Sequence, residues 1–168
     1  MSQPATPTAR RRTGVVVCAS TRAATGVYED RTGPLIVDRL RQWGFEVGEP
    51  VVVPDGEPVS EAIGAAVSAG AAVVLTTGGT GISPTDATPE MTRRHLDREI
   101  PGIAEAIRAA GVAKGVPTAM LSRGTAGVAG STVVVNLPGS TGGVRDALDV
   151  LDGVLPHAVD QVAGGDHR

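Results

Sequence analysis

The chain predicts a single three-layer α/β/α sandwich around a mostly parallel central sheet. Three observations support this. Strand and helix patterns alternate through the first half of the chain, β-α-β-α-β. Two of those strands are apolar without alternation, as expected of strands covered on both faces. A hairpin pattern and a long helical period then close the chain.

Thr13–Ser20 (TGVVVCAS) reads as the first buried strand. The polar stretch Thr21–Gly33 reads as a loop. Pro34–Trp43 reads as a helix with proline in its first turn; Leu35, Ile36, Arg39, Leu40 and Trp43 lie near one face and Gly44 ends it. Glu46–Val53 reads as the second strand, closed by Pro54-Asp55-Gly56. Pro58–Ala69 follows as a helix with Ala62, Ile63, Ala66 and Val67 at helical spacing. Ala71–Thr76 is the third buried strand and runs into a glycine- and threonine-rich loop at 76–86.

Thr88 suits a helix N-cap, with Pro89 at the first helical position and the helix reaching about Leu96. A short helix is expected over Ile103–Ala110, after Pro101-Gly102. Two apolar runs, Gly124–Ala129 and Thr132–Leu137, flank Gly130-Ser131 and predict a hairpin. Between Gly143 and Val162 the residues Val144, Ala147, Leu148, Leu151, Leu155, Ala158 and Val162 keep a helical period, which Gly153 and Pro156 split into two helices. The expected organisation is a tail over residues 1–12 and one domain over residues 13–165, without repeats or a second domain.

Composition narrows the function. Fifteen basic and eighteen acidic residues give a net charge of −3, which does not suggest a nucleic-acid-binding face. No apolar run approaches a membrane span, and the basic stretch Arg10–Arg12 precedes no signal-peptide core. The single cysteine, Cys18, allows no intrachain disulfide and fits a reducing cytoplasm; inside an apolar strand it reads as a small buried hydrophobe. His95, His157 and His167 show no metal-site spacing, and His95 reads as a helix-surface residue.

In a parallel sheet, ligands bind outside the carboxyl ends of the strands. The loops to inspect are therefore Ser20–Gly33, Pro54–Glu57 and Thr76–Asp86. In the third, Gly78, Gly79 and Gly81 allow backbone amides to approach an anion, and Thr80, Ser83 and neighbouring hydroxyls add donors. The same glycines also suit a plain strand-to-helix turn. The loop is neither a Walker P-loop, since no lysine lies near it, nor a dinucleotide fingerprint, since Pro84 stands where the last glycine belongs. Asp55 and Asp86 fit either turn and first-turn acids or a pair of carboxylates holding Mg²⁺ against phosphate oxygens. In the first loop Ser20, Tyr28 and Asp30 are the polar candidates.

Taken in order, several segments carry a resemblance. They are STRAATGVYED (20–30), VVPDG (52–56), TTGGTGISPTDATPE (76–90), REIPG with Glu105 after it (98–105), PTAMLSRGTAG (117–127) and STVVVNLPGS (131–140). Together they resemble the Mog/MoaB family of molybdenum cofactor biosynthesis, and the related domains of gephyrin and of plant molybdenum-cofactor enzymes. The likeness is nearest to actinobacterial Mog proteins and extends over roughly residues 13–165. It implies the molybdopterin-binding fold, assembled as a homotrimer or, in MoaB-type relatives, a hexamer. It also implies adenylylation of molybdopterin by ATP and Mg²⁺, with release of pyrophosphate. A molybdopterin-binding paralogue without transferase activity is the alternative within the family.

The resemblance assigns Asp55 and Asp86 to Mg²⁺-ATP binding and adenylyl transfer. It assigns Gly78, Gly79, Thr80 and Gly81 to the ligand loop, and Thr80, Ser122 and Asn136 to the pterin and its terminal phosphate. Glu105, Arg123, Gly139 and Ser140 fall in further site segments. Some relatives carry arginine where Thr85 stands here, and Arg22, Arg31 or Arg123 would have to supply the missing cation.

Overall fold

A computed structural model describes residues 12–27 and 29–165; Tyr28, His167 and most of the 1–12 tail lie outside the described residues. Among the described residues, seven strands form one sheet in the order β2-β1-β4-β7-β6-β5, with β3 also paired to β1. The strands are β1 (Thr13–Ala19), β2 (Glu46–Val47), β3 (Val51–Val53), β4 (Val73–Thr77), β5 (Arg98–Glu99), β6 (Ala126–Ala129) and β7 (Thr132–Leu137). Strands β2, β3 and β4 pair with β1 in parallel, as does β7 with β4, while β6 and β5 run antiparallel at the far side.

Side-chain alternation divides the strands between two cores. Val16, Val73, Leu75, Val133, Val135 and Leu137 face the helices α2 (Thr32–Gln42), α5 (Pro101–Ala113), α6 (Thr141–Asp152) and α7 (Leu155–Val162). Val17, Ala19, Val74 and Val134 face α3 (Glu57–Ser68), with Met91 of α4 (Thr88–Arg93) at the edge. The expected three layers and mostly parallel sheet are therefore present.

Several local expectations change. The run Glu46–Val53 is two strands rather than one, because Gly48-Glu49-Pro50 interrupts the ladder at an edge and proline brings no N–H to it. The loop after β1 holds a one-turn helix, α1 (Thr21–Ala24), whose N-cap is Ser20; its Oγ accepts from the Ala23 amide at 3.2 Å. The N-cap of α4 is Ala87, not Thr88, which is the first helical residue. Helix α4 ends at Arg93, and α5 is longer at both ends than the apolar spacing indicated, opening at Pro101. Strand β5 was not expected: it is two charged residues with no apolar signal, formed by pairing with β6. His95 is no free surface residue, since its Nε2 lies 2.9 Å from Ser60 Oγ and joins the end of α4 to α3.

The parallel strands place Ser20, Pro54-Asp55, Gly78 and Pro138 at one edge of the sheet. Because β6 is antiparallel, the segment Ser122–Thr125 that leads into it enters from this same edge.

Candidate functional site

Among the described residues, two cavities at that edge border the glycine loop. The first, of about 470 Å³, is lined by Gly79, Thr80, Gly81, Asp86, Ser122, Gly139 and Ser140, with Ile107, Arg108 and Leu121 on its far wall. The second, of about 440 Å³, is lined by Cys18, Ser20, Asp30, Thr32, Gly78 and Gly139. Both are of small-ligand size, and Gly139 borders both. Strands β4 and β7 bring Gly78 and Gly139 together there: a Cβ on Gly139 would stand 3.3 Å from Gly78 Cα.

Two glycines have no substitute. Gly78 has φ +87°, and a Cβ on it would meet the Ala19 carbonyl oxygen at 2.4 Å. Gly79 has φ +67°, and its Cβ would fall 2.3 Å from Thr88 Oγ1 and 2.5 Å from Asp55 Oδ2. Left-handed backbone and close approach both demand glycine here. The loop is anchored by Thr88 N–H donating to the Gly79 carbonyl at 3.0 Å and Arg123 N–H donating to the Thr80 carbonyl at 2.7 Å.

Asp55 leaves the end of β3 and reaches toward α4. Its Oδ1 accepts from the amides of Gly56 at 2.8 Å and Ala87 at 3.2 Å, so only Oδ2 is left for other partners. Burial raises its pKa above the ordinary carboxylate value; the two amides pull it down, and Asp86 and Glu90 push it up. Asp86 Oδ2 accepts from the Ser83 amide at 3.0 Å and faces the first cavity. Asp86 therefore shapes the loop instead of capping the helix, whose N-cap amide is held by Asp55 of the neighbouring loop.

The remaining predicted residues divide into those at the cavities and those elsewhere. Ser122 Oγ accepts from the Gly124 amide at 3.3 Å and lines the first cavity. Ser140 caps α6, accepting from the Gly143 amide at 3.1 Å. Asp30 lines the second cavity, accepts from the Gly33 amide at 3.0 Å, and receives the Cys18 thiol at 3.4 Å. Burial first, and then Asp30, hold the Cys18 thiol far above its ordinary pKa, so it is an inert core group.

Ser83 and Glu105 are exposed, and neither lines a cavity described above. Asn136 lies beneath the site rather than in it. It is 4% exposed; its Oδ1 accepts from the Thr125 amide at 3.1 Å, and its Nδ2 donates to Thr76 Oγ1 and Thr92 Oγ1, each at 2.9 Å. With both of its amide hydrogens used internally, Asn136 ties β4, β7 and α4 together beneath the site.

Arg123 is also committed. Its Nε donates to the Gly81 carbonyl at 2.8 Å, its Nη2 to the Asp86 carbonyl at 2.9 Å, and its Nη1 pairs with Glu90. This hydrogen bond and ion pair hold the Glu90 carboxyl below its ordinary value. Arg123 fastens the loop that carries Asp86, which differs from supplying a free cation to a phosphate. A cation that no sequence motif marks, Arg108, also borders this site. It reaches from α5 to the first cavity and donates through Nη1 to the carbonyls of Ser122 at 3.3 Å and Gly124 at 2.9 Å. One arginine on an apolar helix gave no signal; the fold alone brings it to Ser122.

With this geometry in hand, comparison with known proteins decides the family. A family model described as a probable molybdopterin binding domain matches residues 15–157. The chain belongs to this family. The Mog protein of Mycobacterium ulcerans, a molybdopterin biosynthesis protein, has a solved structure that is 55% identical with a TM-score of 0.88, over 93% of this chain and 99% of that one. Among curated relatives, the molybdenum cofactor biosynthesis bifunctional protein of Synechococcus elongatus is 39% identical over 90% of this chain. The molybdopterin adenylyltransferase of Helicobacter pylori is 34% identical over 89% of this chain and 86% of its own length. This chain spans 48% and 50% of the lengths of the bifunctional relatives from Synechococcus elongatus and Chlorobaculum tepidum. The expected Mog/MoaB kinship and fold are thus established, and among the described residues no helix is long and apolar enough to cross a membrane.

Proposed function

We propose that this protein is a molybdopterin adenylyltransferase, a nucleotidyltransferase that joins molybdopterin to the adenylyl group of ATP and releases pyrophosphate. The observation that carries this reading is the pair of cavities sharing Gly139, with the glycine loop and the carboxylates of Asp55 and Asp86 beside them. Such a transfer needs two anionic substrates held end to end, and two adjoining cavities on one sheet edge provide that arrangement. Relatives that bear the adenylyltransferase name at 33–36% identity support the same reading.

In this reading the terminal phosphate oxygen of molybdopterin attacks the α-phosphorus of ATP, and the bond to the β-phosphate bridging oxygen breaks. The nucleophile is already an anion, so the site needs no strong base. Positioning and electrostatics supply the rate. The amides of Gly79–Gly81, the Thr80 and Ser122 hydroxyls and Arg108 orient phosphates in the first cavity. Ser20 and Asp30 border the second.

The residues present fit Mg²⁺. Asp55 keeps Oδ2 open because its other oxygen is satisfied by two amides, and Gly79 leaves the approach to Oδ2 free of a side chain. Asp55 and Asp86 would hold the ion, which supplies charge neutralisation at the phosphates when bound. A cytoplasmic homotrimer built from one domain over residues 13–165 completes the proposal. The apolar residues Val112, Val116, Met120 and Leu121, exposed around the end of α5, support association.

The test is pyrophosphate release from ATP with molybdopterin and Mg²⁺, wild type beside Asp86→Asn. The expected result is molybdopterin-dependent release, lowered about 100-fold or more in the variant at unchanged melting temperature. A wild type that binds molybdopterin tightly yet releases no pyrophosphate would identify a binding-only paralogue instead.

A further inference from the structure

Thr88 is the one residue among those described whose buried side-chain oxygen has no hydrogen-bond partner. It is 0% exposed. Its backbone is fully used: the N–H donates to the Gly79 carbonyl at 3.0 Å, and the carbonyl accepts from Thr92 Oγ1 at 2.8 Å. Only the hydroxyl is left over. A buried hydroxyl without a partner is costly, and a valine of the same shape would avoid that cost.

The place of this hydroxyl is specific. Thr88 Oγ1 and Asp55 Oδ2 both lie against the same face of Gly79, at 2.3 Å and 2.5 Å from the point a Cβ would occupy. One is a donor lacking an acceptor. The other is the carboxylate oxygen that accepts neither of the two amides holding Asp55 Oδ1. Because residue 79 is glycine, no side chain stands between them. A carboxylate oxygen can accept a hydrogen bond and hold a cation at the same time, through separate lone pairs.

We propose that Thr88 is a positioning residue for Asp55: on binding of Mg²⁺ and ATP its hydroxyl donates to Asp55 Oδ2 and fixes the carboxylate in its ligating orientation. This rests on the reading of Asp55 as a residue that holds nucleotide-bound Mg²⁺. The hydroxyl touches neither substrate, since it is fully buried, and acts only through Asp55. Groups of this kind that orient a metal-binding carboxylate change metal affinity by about 10- to 100-fold when removed.

The experiment compares wild type, Thr88→Val and Thr88→Ser in two measurements: the melting temperature of the ligand-free protein, and ATP binding by calorimetry across a series of Mg²⁺ concentrations. Thr88→Val is expected to melt at or above the wild-type temperature, because it removes an unpartnered group. It is also expected to bind ATP about 10-fold more weakly at limiting Mg²⁺, with Thr88→Ser close to wild type. Wild-type MgATP affinity in Thr88→Val overturns the proposal. So does a clear fall in its ligand-free melting temperature, which would make the hydroxyl a structural bond. Pyrophosphate release by the wild type tests the transferase reading separately: its absence removes the reaction, and the binding comparison still decides Thr88. A wild type that binds no MgATP overturns both.

Discussion

On one face of the sheet, four helices close over alternate strand residues. Leu75, Val135, Leu137, Leu148, Leu151 and Leu155 there are at most 2% exposed. On the opposite face, two helices cover a smaller apolar cluster that gives way, toward the carboxyl ends of the strands, to Thr76, Asn136, Thr92 and Thr88. The same strands serve both faces, so the difference lies in which residues alternate along them. Dispersion and burial hold the first face; hydrogen bonds carry the second, and they end at the glycine loop. Stability and site geometry are thus assigned to different faces of one sheet.

The largest effect expected from this contrast is on the four-helix face. Leu151→Ala should cost about 2–5 kcal/mol in chemical denaturation, yet leave MgATP affinity of the folded fraction unchanged. A loss of affinity matching the loss of stability would show that the two faces do not divide stability from site geometry. On the other face, Asn136→Leu leaves the Thr125 amide without its acceptor and Thr76 and Thr92 without their donor. It should cost about 1–3 kcal/mol and, unlike Leu151→Ala, weaken ligand binding, because α4 and the glycine loop are tied through it. Equal binding by the two variants would show that the polar face does not set the site.

The smallest effect concerns pH. The folded state binds the Asp55 proton more tightly than the unfolded chain does, since the folded pKa is raised. Stability from this group is therefore lost as pH rises from the ordinary carboxylate value through the raised one, and the penalty is constant above it. Asp55→Asn removes the charge while keeping an oxygen for the two amides. Ligand-free melting temperatures of the variant and wild type should nearly coincide at acid pH and separate above the raised pKa, the variant melting higher. A wild type that gains stability from this group over that window would mean that folding lowers the Asp55 pKa instead.

Much of this site was legible before folding was considered. Gly78 and Gly79 follow a buried strand, and Asp55 ends another, so the ligand edge of a parallel sheet could be marked out by pattern. Of the residues that the pattern or the resemblance marked, Ser20, Asp30, Thr80, Asp86, Ser122, Gly139 and Ser140 line the two cavities. Asn136 is assigned by the resemblance alone; its internal partners Thr76 and Thr92 lie 60 and 44 residues away, and no local pattern marks them. Arg108 went unnoticed because its neighbours on α5 are apolar and nothing local marks it.

By itself the sequence determined most of the strands and helices, the layered architecture and the sheet edge at which the candidate site lies, because hydrophobic period, glycine and proline act over a few residues. Tertiary structure alone decided which polar groups face a cavity and which are consumed inside, the split of the second strand, the pairing of β5, and the meeting of Thr88 and Asp55 over Gly79. Those outcomes depend on hydrogen-bond partners brought together from distant parts of the chain, and no local pattern encodes a partner.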